Sequence, residues 1–154
     1  MEILRSRQVA ALGLVFWLLG VCSALIGGQE PTVEELKARI TSANVPDRPM
    51  LCIHISERQL DAADRFYIAG DSEKAQAALA DVVAFSGQAR DYSIQSHKHE
   101  KQSEIAIRKM ARKLADLKHT VSHEDQAQVQ TVVDHLERIR DDLLGAMFPK
   151  GGKK

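Results

Sequence analysis

"SIQSHKHEKQSE", residues 93–104, holds one large apolar residue, Ile94. On either side of it apolar residues recur three and four apart, the spacing of one buried helical face. Ala75, Leu79, Val82, Phe85, Ala89 and Tyr92 precede it, and Ile107, Met110, Leu114, Leu117 and Val121 follow. No proline stands between Pro49 and Pro149. The spacing therefore predicts one long central helix over 72–119, roughly 70 Å at 1.5 Å per residue, with residues 93–104 as a solvated polar waist. The alternative is a break near Gly87 or His97, which turns the same residues into a compact four-helix bundle. Continuity through Gly87 to His99 decides between the two.

The flanking elements follow from their caps. Thr32 and Glu35 have capping-box spacing and open a short helix carrying Val33, Leu36 and Ile40, which ends near Asn44. A helix over 48–69 follows, with Asp47 as its cap. The "MLCIHI" run at 50–55 reads as its buried start rather than as a strand. Gly70 closes it, and Asp71 or Ser72 opens the next helix. His119 and His123 lie four apart in "HTVSHED" and on one helix would share a face. Ser122 is a good N-cap, however, with Glu124 and Asp125 in the first turn after it, so the histidines fall on either side of a turn. The final helix, over 122–147, carries Val129, Val132, Leu136, Ile139, Leu143 and Met147. Short turns make the helices over 48–69 and 122–147 antiparallel to the central one. The fold class is all-α.

At 154 residues the chain has room for one domain. Arg5 and Arg7 precede an uncharged run from Val9 to Ile26 that ends in small residues, the pattern of a secretory signal cut after Ala24. The run is also long enough for a membrane anchor, and Cys22 lies in a partial lipobox, so retention or lipidation are the alternatives. All three place the remainder outside the cytoplasm. The expected organisation is a signal or anchor over 1–24, a linker with a short helix over 25–46, a helical domain over 47–148 and a flexible basic tail over 149–154. Without the leader, Cys52 is the only cysteine, which excludes an intramolecular disulfide and reads as a small buried apolar residue. The 21 basic and 21 acidic residues balance, which argues against nucleic acid and against an anionic lipid surface met by bulk charge. Membrane contact is expected only through an uncleaved or lipidated N-terminal segment.

Residues 60–85 resemble one tetratricopeptide-like helical hairpin, in Ala63, Phe66, Gly70, Ala75 and Leu79. The resemblance implies hairpin geometry and a protein-binding surface. It covers about 25 residues with no second copy at a period near 34, so it implies no repeat array. The "RIRDDLLGAMF" ending also resembles that of an exported bacterial helical family.

"HKHE" offers His97 and Glu100 on one helical face, with His99 pointing elsewhere. His54, placed near this point by the antiparallel arrangement, is the other candidate ligand. Zinc needs three or four protein ligands, so these are weak metal candidates, and a metal- or pH-responsive protein is the alternative function. No phosphate loop, nucleophile elbow or Cys–His arrangement is present; the expectation is a non-enzyme without cofactor. Phe66, Phe85 and Tyr92 fall on the apolar seam. Tyr67, one place off it, together with Tyr92 and Phe148 are the candidates for partner contact. The expected function is contact with another protein or with a second copy.

Overall fold

The computed structural model describes residues 30–149. The leader, Cys22 and the lysines of the tail lie outside the described residues. Five helices follow one another: α1 Val33–Ser42, α2 Arg48–Ile68, α3 Ser72–Ser96, α4 Glu100–Leu117 and α5 His123–Met147. A 3-10 turn, Val45–Asp47, joins the first two. Among the described residues there is no strand, and no helix is long and apolar enough to cross a membrane.

The capping residues work largely as the sequence suggests. Thr32 accepts from the Glu35 amide and Glu35 from the Thr32 amide, completing the box. Asp71 accepts from the Lys74 amide, and Ser122 from the Asp125 amide. Gly70 adopts φ 76° between α2 and α3, a value that a side chain would disfavour. Asp47 is the exception. It occupies the N-cap position of α2 without a capping bond, because Pro49 already removes one of the amides to be satisfied. Of the segment read as a linker, residues 33–42 form α1, whose Leu36 and Ile40 are buried against α2.

The long central helix does not form. The chain leaves α3 at Ser96, His97 and His99 take φ 52° and 61°, and α4 starts at Glu100. The expected polar waist is solvated only in part: Gln95, His97, Lys98, Lys101 and Gln102 are exposed. Ser93 and Ser103 are fully buried, and their hydroxyls meet at 3.0 Å. Ten residues apart on a straight helix they would be separated by about 15 Å. The chain therefore reverses here, because the small serine side chains let α3 and α4 close on each other.

Directions follow from cross-helix bonds. Ser56 on α2 donates to Val82 O on α3 at 3.4 Å, and Gln59 to Asp81 at 2.7 Å, so the two run antiparallel. Ser72 meets Asp125 at 2.8 Å, and Arg90 meets Asp142 at 2.8 Å, so α3 and α5 run parallel. Lys118 meets Gln130 and Arg140 meets Glu104, so α4 and α5 run antiparallel. Around the bundle the order is α2, α3, α5, α4, with α3 and α4 on one diagonal and α2 and α5 on the other. This is the compact four-helix arrangement, built from two helical hairpins.

The core contains Ile53, Ile55, Leu60, Leu79, Val82, Ile107, Leu114, Val129, Leu136 and Leu143, all essentially without solvent contact. The buried face of α3 is instead mostly small: Ala75, Ala78, Ser86, Ala89 and Ser93 accompany Leu79 and Val82. Those residues bring three neighbours close to one helix. Ser86 donates to Ser56 at 3.2 Å, which gives both buried hydroxyls a partner between α2 and α3.

Candidate functional site

The histidine candidates do not converge. His54 is exposed and lies 3.9 Å from Glu57 on its own helix. His97 lies 3.6 Å from Glu100, as the i, i+3 spacing suggests. His99 occupies the N-cap position of α4 without a capping bond. Among the described residues no three of His, Cys, Asp and Glu are placed to hold one metal ion. His119 is exposed in the α4–α5 turn, and His123 is the first residue of α5. The turn reading of that pair holds.

Cys52 is fully buried, and burial pushes its thiol up to about 11, with nearby Arg48 opposing. At neutral pH it is a thiol, not a thiolate, and acts as a small apolar side chain.

The aromatic candidates separate. Tyr67 is not the open contact its position suggests. Its ring packs against the core and its hydroxyl is enclosed without a hydrogen-bond partner. Burial raises its pKa, and the charge of Asp125 adds to the effect. The ring lies against the core at the end of α2, near enough to the first turn of α5 to feel the charge of Asp125. The residue left open there is Ile68, 81% exposed. Tyr92 is half-buried beneath Arg48, whose guanidinium stands 5.3 Å from the ring centre. Lys74 over Phe66 and Lys37 over Phe85 repeat the arrangement. Each ring thus buries one face and presents the other to a cation. Phe148 stands open at 71% exposure.

Two polar clusters escaped sequence reasoning. Asp125, 5% exposed, accepts from Ser122 at 2.7 Å, Ser72 at 2.8 Å and Gln76 at 3.2 Å, joining the first turns of α3 and α5. The hydroxyl donors, Ser122 first, hold its carboxyl below the ordinary range. Glu104, 7% exposed, accepts from Arg140 at 2.9 Å and lies 3.5 Å from Arg108. The sequence signal for both was weak: Asp125 reads as a dipole partner in a first turn, and Arg140 as part of a solvated charged face. Both clusters bind helix to helix.

Two shallow surface grooves lie among the described residues. One, of about 290 Å³ between α2 and α4, is lined by Glu57, Leu60, Asp61, Lys109, Met110 and Lys113. Lys113 closes across it onto Asp61. The other, of about 320 Å³ between α2 and α3, includes Phe66, Lys74 and Asp81. In the first, Lys113 and Asp61 pair across an apolar floor; in the second, Lys74 turns to Asp71, and Asp81 to Lys37 and Gln59.

The arrangement offers surfaces for contact. The chief one is the end of α5, "LLGAMFP" at 143–149, seven uncharged residues in a chain that is 27% charged. Leu143 anchors it in the core, Leu144 and Met147 are half-buried, and Gly145, Ala146 and Phe148 face solvent. No protein-family model, no curated protein and no solved structure matches this chain.

Proposed function

We propose that this is an exported, non-enzymatic helical protein that acts by contact with another protein, or with itself, in the cell envelope or outside the cell. The observation that carries the reading is the uncharged end of α5. Phe148 exposes a large ring beside half-buried Met147, just past a helix whose exposed residues include Glu124, Asp134, Arg138, Asp141 and Asp142. An aromatic anchor beside flexible methionine is the composition that interface centres favour. Ile68, at the opposite end of the bundle, offers a second apolar point. Export rests on the Arg5–Arg7 and Val9–Ile26 pattern.

The test is in-cell photo-crosslinking, with the native N-terminal segment kept and a tag after Lys154. A crosslinking amino acid is placed at Phe148 and, as control, at exposed Arg138 on the same helix. The reading expects one protein, or a second copy of this chain, joined in stoichiometric yield from position 148 and not from 138. The same weak background from both positions would contradict it.

A further inference from the structure

The α3–α4 junction differs from the other helix ends. α1, α2, α4 and α5 each end with a cap-residue amide bonded back into the last turn. α1, α3 and α5 each begin with a side-chain cap, and α2 begins with Pro49 in its first turn. At 96–100 neither device is present. No cap amide closes α3, and no side chain caps α4. The turn is made instead by His97 and His99 in the left-handed region, which residues with a Cβ enter at a cost. Neither glycine nor proline lies between Gly87 and Gly145. Nothing in the local sequence opposes a helix running straight through.

Straightening would give each of these residues ordinary helical angles and restore the backbone bonds that the break leaves open. The loss would be the packing between the two hairpins: Ser93 on Ser103, Arg90 on Asp142, Lys113 on Asp61, and Ser72 with Gln76 on Asp125. Every one of those contacts joins residues 48–96 to residues 100–147. A second copy opened in the same way restores all of them between chains, which is the condition for exchange of identical elements.

We infer that residues 97–99 are a hinge through which two copies exchange their α4–α5 hairpins. α3 and α4 then fuse into one helix over 72–117, about 70 Å long. The partner is a second copy of this chain, and the interface is the one already present inside the monomer. For its use in the cell this rests on the reading that the protein acts through protein contacts; its physics rests on the hinge alone.

The experiment compares the purified chain with His97→Ala/His99→Ala and His97→Gly/His99→Gly variants, each refolded at high concentration and sized by light scattering. Alanine favours the fused helix and raises the dimerisation constant by about tenfold. Glycine relieves the closed turn and weakens the fused helix, lowering the constant by a factor on the order of a hundred or more. Ser93→Cys/Ser103→Cys, added in a background lacking Cys22 and Cys52, reports the connectivity. Dimers trapped by oxidation carry bridges between chains if hairpins are exchanged. An alanine variant that stays monomeric after refolding overturns the proposal, as does a dimer whose bridges lie within each chain. Either result leaves the Phe148 crosslinking experiment to stand or fall separately.

Discussion

The α2–α3 and α3–α4 junctions both reverse the chain within three or four residues, by opposite means. At the first, Gly70 takes the positive φ and Asp71 caps the next helix. At the second, two histidines take that role and nothing caps either side. The first turn is written locally; the second is imposed by what packs around it. A local stop signal and a tertiary one give the same geometry, yet they respond differently to mutation.

The largest effect should come from removing the packing that imposes the second turn. Ile107→Ala, at a fully buried site on α4, is expected to cost about 2–5 kcal/mol in urea unfolding, through lost burial and the cavity left behind. Smaller, and opposite in sign at the two junctions, are the backbone changes. Gly70→Ala forces a Cβ into φ 76° and should destabilise by about 1 kcal/mol or more. His99→Gly, at φ 61°, should leave the monomer as stable as before or raise its stability by up to about 1 kcal/mol. Equal losses at both sites would erase the distinction between them.

Acid probes how the hairpins are tied together. Asp125 titrates below its ordinary 3.8 in the folded protein because Ser122, Ser72 and Gln76 donate to it. A depressed folded value contributes stability that is complete above the unfolded pKa and is lost as pH falls through the folded one. Asp125→Asn should therefore lower stability at neutral pH, by about 1 kcal/mol, and flatten the fall in stability below pH 3.8. Urea midpoints between pH 6 and pH 2.5 measure both. An unchanged acid limb would show that Asp125 is not a tie. The smallest effect is that of zinc at the second junction. With His97 paired only to Glu100 and His54 held on another helix, saturating zinc should leave the melting temperature unmoved. A rise would restore the metal reading.

Most helix boundaries were legible because they carry local chemistry. The Thr32–Glu35 box, Gly70–Asp71 and Ser122 state start and stop within four residues, and the seams from Val82 through Leu143 show which faces turn inward. The break at His97 was legible only as an alternative, since no residue there is a helix breaker. Ser93 and Ser103 were misleading in a specific way. Serine reads as solvent-facing, but here its size lets two helices meet and its hydroxyl finds another hydroxyl. Tyr67 failed for a related reason: its helix places it off the seam, while the core still takes in its ring and encloses its hydroxyl. Phe148 was readable because it lies past Leu143, the last residue of the buried seam. The histidine candidates depended on a straight helix through 97–99, and the turn removes that premise.

The most direct test of the compact bundle is oxidation of Ser93→Cys/Ser103→Cys in isolated monomer lacking Cys22 and Cys52. Hydroxyls 3.0 Å apart predict rapid formation of a bridge within one chain, seen as a faster-migrating monomer on a non-reducing gel. A continuous helix holds the two thiols about 15 Å apart. Monomer that keeps both thiols free under oxidation would contradict the reversal at His97–His99 and return the long central helix.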